Sequence, residues 1–384
     1  MHMKRYTALL LLLVMLLSGC ADKAAPKPPA QPQQLLGVRV DDEKIISDIS
    51  PAQDEELTLV NTQVEDFLDG YFFGKGPEVV KAQSGLAVKR EPLYRDVAFS
   101  WSCSEVNKGY TLAYATKSDF SDVITRETQE SSITVSGLFV AKTYYWQVVT
   151  HRESGDHYSD IYSFQTADTP RIVHMDGVVN VRDIGGYLTE DGKYRVAQGM
   201  IYRGGNLDSI TGDGMLQATQ VLGIKTDLDL RSPSSESDAM LFTDKSPILQ
   251  GVNYINVSGA SYSSAISNRM QQELEVFTKA ENYPIYIHCK VGRDRTGTLA
   301  FIIGALLGVS EETLLADYEL TYLTEFAYAS GDMRGHNNMT DFLTQFHKYP
   351  GDTLQQKAEN FCLNIGMSQQ QIQTIREIML EEVA

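Results

Sequence analysis

"YPIYIHCKVGRDRTGTLAFIIGALLG", residues 283–308, decides how the C-terminal half of the chain folds. Its opening, Tyr283 to His288, is short, aromatic and β-branched, as a buried strand is. Its close, Thr296 to Leu307, is apolar on nearly every side, which predicts a helix buried in a core. Between them lies a loop holding Cys289, five intervening residues and Arg295. A loop that leaves a strand and feeds a helix N-terminus gathers backbone N–H groups around a concavity suited to an anion. The N–H groups of residues 290 to 295 are available for this, and Gly292 permits the tight turn.

Each residue type there has a chemical use. The positive field that holds an anion also lowers the pKa of the Cys289 thiol, so a nucleophilic thiolate can exist at neutral pH. Arg295 offers a planar fork matched to two phosphate oxygens, which lysine cannot supply. Thr296 can hydrogen-bond the sulfur and ease its departure from phosphorus. His288 is placed to fix loop geometry rather than to act as a base. The chemistry this predicts is attack of Cys289 on a phosphomonoester, a cysteinyl-phosphate, and its hydrolysis by water. Arg295 and the amides stabilise the transferring charge. No metal or other cofactor enters this scheme.

Outward from the loop, residues 169–384 alternate strands and helices. "GMIYRGG", "IKTDLDL" and "VNYINVS" read as further strands, and "NRMQQELEVFTKA" as a helix. Thr211 caps a helix running to Leu222 that Gly223 stops, Ser310 starts another and Ser368 the last. Such alternation predicts an α/β fold with a central, largely parallel sheet flanked by helices. Residues 81–168 differ: "DVAFSWSC", "GYTLAYAT", "SSITVSGL", "TYYWQVVT" and "IYSFQT" are short runs of period two. They predict an all-β sandwich preceding the α/β domain, with Leu138, Tyr144, Trp146 and Val148 facing inward. Residues 36–80 have some helical spacing and receive no assignment.

The first twenty residues join a basic start, Lys4 and Arg5, to an apolar run from Ala8 to Leu17 that is too short to span a bilayer. An export signal follows from this. Residues 21–35, rich in Pro, Ala and Gln, read as a flexible linker. The net charge of -17 argues against a nucleic-acid partner, though a local basic cluster can still serve an anionic substrate. The four cysteines, Cys20, Cys103, Cys289 and Cys362, lie far apart and form neither a disulfide framework nor a metal-ligand spacing.

Three resemblances add to this reading. "LSGC", residues 17–20, resembles the lipobox of bacterial lipoproteins, which implies lipidation of Cys20 and an extracytoplasmic, membrane-anchored protein. The stretch from Leu138 through Tyr144 resembles the corner of fibronectin type III domains; a docking module for a protein or glycan partner, with Trp101 in the core, is what that implies. "NVRDIGGY", "YRGGNLDSIT", "LGIKTDLDLRSPSSE", "HCKVGRDRTG" and "ADYELTY", spread over residues 174–322, resemble the secreted, broad-specificity branch of bacterial cysteine-dependent tyrosine phosphatases. That resemblance implies Cys289 as nucleophile, Arg295 as phosphate ligand and Asp294 as proton donor. The remaining loop residues, Lys290, Val291, Gly292, Arg293 and Gly297, with His288, would surround the phosphate. Where this branch commonly has lysine, the chain has Arg293.

Two matters stay open in the sequence. No Asp or Glu occurs between Lys245 and Gln272, so the acid that protonates the leaving group is expected to be Asp294, with Asp229 and Glu236 farther off. Arg231 and Glu236 are expected to form a structural ion pair, and Arg182 and Asp183 to hold the loop leading into the sheet. The substrate is also open. Lys290 and Arg293 resemble the basic pair in the loop of phosphoinositide 3-phosphatases, which makes inositol phosphates or phosphoinositides an alternative to phosphotyrosine and other phosphoproteins. Tyr328, Arg334 and His336, in a stretch that interrupts the helical pattern, are placed at a rim or lid. From other classes, the chain could be a surface binding or adhesion module with an anion-binding loop, or a sulfurtransferase. The Arg-Thr-Gly ending of the loop suits phosphate better.

Overall fold

The computed structural model describes residues 45–72, 92–248, 251–259, 261, 268–324 and 335–383. Cys20, the export signal and the linker lie outside them, as do Tyr328, Arg334 and the side chain of His336.

The described strands between residues 46 and 166 form two sheets around one apolar core. The first sheet joins β1 (Ile46–Ser50), β3 (Val97–Cys103) and β6 (Ser132–Val135), all antiparallel. The second has the order β2 (Glu55–Leu57), β9 (Tyr162–Thr166), β7 (Thr143–Arg152), β4 (Tyr110–Ala115), β5 (Ile124–Thr128), with β8 (Gly155–Tyr158) paired to β7. Aromatic and branched residues at alternate positions point inward, as a half-buried strand requires. Leu138, Tyr144, Trp146 and Val148 are buried in the same cluster as Trp101 and Phe99. The Phe164 ring stacks on Tyr144 at 5.4 Å and meets Phe99 edge-on at 5.7 Å. Strands β1 and β2 belong to the stretch the sequence left unassigned, and they complete one edge of each sheet.

Helix α1 (Thr62–Gly70) lies between β2 and β3 in the chain, capped by the Asn61 side chain accepting from Val64 N at 3.1 Å. Its buried residues belong to a cluster apart from the core of the two sheets. Val64, Phe67 and Tyr71 are buried against Ala316, Leu320, Tyr322 and Leu323 of the C-terminal half.

That half is built on a five-stranded sheet of order β10 (Arg182–Asp183), β12 (Ile201–Gly204), β15 (Ile285–His288), β13 (Thr226–Asp229), β14 (Asn253–Asn256). Four strands are parallel and β10 is antiparallel at one edge. A two-stranded pair, β11 (Tyr194–Val196) with β16 (Leu380–Glu382), lies apart from it. The register aligns Gly204, His288 and Asp229, so three central strands end together. The loops that follow them therefore converge at one edge of the sheet, where open α/β sheets bind ligands.

The helices are α2 (Gly212–Leu216), α3 (Asn268–Glu275), α4 (Asp294–Leu307), α5 (Glu311–Glu319), α6 (Gly335–Phe346), α7 (Leu354–Asn364) and α8 (Gln369–Met379). Thr211, Ser310 and Ser368 cap α2, α5 and α8 through their side-chain oxygens, as their residue types favour. Every residue of α4 from Thr296 to Leu307 is buried, and Gly308 ends it at φ 91, a left-handed conformation suited to glycine. Ala358, Phe361 and Cys362 of α7 and Ile372 and Ile375 of α8 complete the core around it.

Candidate active site

Cys289 follows the last residue of β15 and is 2% exposed, at the edge where the strand ends converge. The loop after it is shaped from behind by hydrogen bonds to its carbonyls. Lys290 O accepts from the Asn206 side chain at 2.7 Å, Val291 O from Asn180 at 3.0 Å, and Gly292 O from Arg203 at 2.9 Å. In a trans peptide the carbonyl and the next N–H point opposite ways. Holding these three carbonyls outward turns the N–H groups of Val291, Gly292 and Arg293 toward the concavity. Gly292 has φ 71 and lies against the Gly204 carbonyl, where a side chain would collide. Gly297 has its own reason: a Cβ there would press on the Tyr318 ring and the Arg203 guanidinium.

Burial alone would push the Cys289 thiol up. The Arg295 charge outweighs it together with hydrogen bonds from the Thr296 hydroxyl and N–H and from Val291 N–H, and the pKa falls below its ordinary value. The Thr296 hydroxyl is buried beside the thiol and, with the Thr296 N–H, favours its ionised form. His288 is 1% exposed and pairs through Nε2 with Asp227 at 2.9 Å, with Asp229 3.7 Å from Nδ1. Burial opposes its charge, but these two carboxylates hold it protonated up to about 9. A buried imidazolium has no free base to offer, and this agrees with a structural part in fixing the loop.

Arg295 is fixed by a residue the sequence reading missed. Its Nη1 donates to Asp238 at 2.9 Å and to Leu230 O at 3.2 Å, and its Nη2 donates to Asp238 at 2.6 Å. Asp238 is 5% exposed, also accepts from Ser232 N at 2.7 Å, and is held below the usual carboxylate range against the cost of burial. Asp238 thus takes the end of the guanidinium. The edge carrying Nε–H and the second Nη2–H remains for two oxygens of a bound anion.

The other basic residues are placed differently from one another. Lys290 is exposed at the mouth and donates to Ser237 O at 2.8 Å. Arg293 is 6% exposed and turned to Asp294, Nε to Oδ1 2.9 Å. Asp294 opens α4 and is the acidic residue of its first turn. Arg231 does not pair with Glu236: it is bound by Asp229 at 2.9 Å and Asp208 at 2.7 Å. The reason is local. Asp229 ends β13 and already accepts the Arg231 backbone N–H, so the side chain folds back onto the same carboxylate. Of the pair expected to hold the loop leading into the sheet, Arg182 goes to Asp317 at 2.9 Å and Asp183 to Arg171 at 2.7 Å.

A thiol held ready to ionise, a guanidinium with one open edge and inward N–H groups define a phosphate-type anion site on an α/β fold. Residues 173–381, more than half of the chain, match the tyrosine phosphatase family, and the chain belongs to that family. It is also 30% identical over 167 residues to an inferred tyrosine-protein phosphatase of Cupriavidus necator, an alignment covering 38% of this chain and 60% of that one. The matched stretch thus falls short of two thirds of that relative's length. The core catalytic domain of the PP-IP phosphatase Siw14 from S. cerevisiae aligns over 38% of this chain and 84% of its own, at 20% identity and a TM-score of 0.28. That likeness is too slight to bear on fold or function.

Proposed function

We propose that the chain hydrolyses phosphomonoesters of proteins, phosphotyrosine first among them, through a cysteinyl-phosphate on Cys289. One observation carries this reading: the lowered Cys289 thiol and the open edge of Arg295 belong to one cradle of inward N–H groups. In the reaction, the Cys289 sulfur attacks phosphorus while the phosphate oxygens lie on Arg295 and the loop N–H groups. The alkoxide or phenoxide leaves and takes a proton from Asp294, the carboxyl at the start of α4. Water then displaces the sulfur from phosphorus, and the Thr296 hydroxyl steadies the thiolate that departs. The name of the Cupriavidus relative, a tyrosine-protein phosphatase, supports the substrate class.

The second reading is an inositol phosphate or phosphoinositide as substrate. It is favoured by Lys290, whose ammonium stands exposed at the mouth, within reach of a further phosphate on a polyphosphorylated ring. Arg293, buried against Asp294, lends it less. We further read the two-sheet region as a fibronectin type III-like sandwich that docks a protein or glycan. Residues 1–20 we read as the signal of an extracytoplasmic, membrane-anchored bacterial lipoprotein lipidated at Cys20.

Phosphate release from a phosphotyrosine peptide, inositol polyphosphates and a phosphoinositide, with Cys289→Ser as the blank, tests the reading. Turnover of the peptide above the blank, unaffected by Lys290→Ala, is the expected result. Faster turnover of the polyphosphorylated rings that falls with Lys290→Ala would transfer the assignment to the second reading. No turnover above the blank on any substrate would end both.

A further inference from the structure

The donors that hold the loop carbonyls are themselves held, and most of their support ends on one carboxylate. Arg203, which binds Gly292 O, gives its Nη1 to Asp317 Oδ2 at 2.6 Å. Asn180, which binds Val291 O, is held through its own carbonyl by Arg182 Nη1 at 3.2 Å, and the Arg182 Nε binds Asp317 Oδ1 at 2.9 Å. Arg182 Nη2 also donates to Asp317 O at 2.8 Å, and Tyr187 adds its hydroxyl to Oδ1 at 3.2 Å. All three charged groups are at most 5% exposed. Two guanidiniums on one carboxylate leave an excess of positive charge beneath the loop. Burial, with Arg182 beside it, lowers the Arg203 pKa to about 10, and the Asp317 charge acts against that fall.

Asp317 is on α5, and the other face of that segment is covered from outside the tyrosine phosphatase region. Val64, Phe67 and Tyr71, on or next to α1, pack on Ala316, Leu320, Tyr322 and Leu323, the residues flanking Asp317 in sequence. Val64 and Phe67 are fully buried there. A hydrogen bond from Asn61 N to Leu93 O at 2.9 Å ties the start of α1 to the chain that leads into β3. Residues 173–381 therefore do not contain everything that fixes their own loop.

We infer that Asp317 is a positioning residue for the anion loop, and that α1 (Thr62–Gly70) braces it from the N-terminal side by fixing α5. The loop's grip on phosphate then depends on a helix that precedes both the strands β3–β9 and the family region. This rests on the phosphate-binding part of the proposed function, and the two can fail separately.

The test reads alkylation of Cys289 by iodoacetamide in the full chain at fixed pH, with Cys289→Ser subtracting the other thiols. Inorganic phosphate is the probe. In the unaltered chain, phosphate slows alkylation; if it does not, the proposed site is wrong, whatever the variants do. Asp317→Asn keeps the shape and removes the charge, and the phosphate needed for half-protection rises about tenfold, the loss of one charge-assisted hydrogen bond. Phe67→Ala, two helices away from the loop, raises it about threefold by partial loosening. Circular dichroism establishes that each variant is folded at the assay temperature, and Val64→Ala replaces Phe67→Ala if that variant is not. Folded variants that melt earlier yet show unchanged protection would reduce Asp317 and α1 to structural parts and overturn the inference.

Discussion

Cys362 and Cys289 are both sealed from solvent, at 0% and 2% exposure, and their surroundings drive them in opposite directions. Cys362 sits on α7 in the apolar core around α4, where burial pushes its thiol up to about 12 and the Arg376 charge only partly offsets it. Cys289 pays the same desolvation at the sheet edge, but Arg295, Thr296 and the loop amides reverse the sign. Burial therefore does not decide whether a cysteine is inert. What decides it is whether the buried volume is lined with apolar carbon or with fixed donors and a charge.

The same contrast extends to how the two places are held. Dispersion and apolar transfer suffice around Cys362. Around Cys289 the chain buries Arg182, Arg203, Arg231, Asp227, Asp229, Asp238, Asp317 and His288. Buried ion pairs return little net stability after desolvation, so this layer is better explained by the geometry it imposes on the loop than by any gain in folding free energy.

Replacing Arg295 with lysine is the strongest way to break the contrast. A point charge cannot satisfy Asp238 and two phosphate oxygens at once, and phosphate release falls by about 10²- to 10³-fold. Steady-state rates on a phosphotyrosine peptide measure this, and unchanged rates would mean that the open edge of Arg295 is not used. A smaller effect comes from the other cysteine. Cys362→Ser places a hydroxyl in the apolar core and lowers stability by about 1–3 kcal/mol, while phosphate release by the folded protein stays the same. Denaturant melts and rates on one sample read both halves, and a loss of rate in the folded state would mean that the two regions are coupled.

A further effect is one of pH. Folding raises the His288 pKa from its ordinary 6.5 to about 9, because Asp227 and Asp229 hold the proton against burial. The folded state thus binds more protons between those values. The stabilisation is complete below about pH 6.5 and is lost as pH rises through 9, with a slope of at most about 1.4 kcal/mol per pH unit. Melts from pH 6 to 10 measure it, and a His288→Gln variant, unable to titrate, should lose that dependence.

Much of this was legible in the sequence because it is local. Strand, loop and helix run consecutively from Tyr283 to Gly308; the caps Thr211, Ser310 and Ser368 carry their signals within three residues. The polar layer was not legible, because its pairs are long-range. Asp238 lies 57 residues from Arg295, and Asp317 lies 135 from Arg182 and 114 from Arg203. An ion pair has no periodicity, and nothing in the run "SPSSESD" marks its last residue as buried. The one available hint was topological: that run follows β13, whose end shares an edge with the Cys289 loop. The Arg231 error has a different origin: Asp229 is only two residues away, but nothing in the sequence marks that the strand end turns its carboxylate onto the Arg231 backbone N–H and guanidinium. Only some helical spacing was visible where α1 lies, and its destination on α5 was fixed by tertiary packing.

The central claim is that Cys289 carries the phosphoryl group, and mass spectrometry of an acid-quenched reaction tests it most directly. The chain is mixed with a phosphotyrosine peptide, stopped within one turnover and digested. The account predicts a phosphoryl group on the peptide bearing Cys289, absent from Cys289→Ser, which also releases no phosphate. Phosphate release that persists in Cys289→Ser, or a phosphoryl group trapped on another residue, would contradict it.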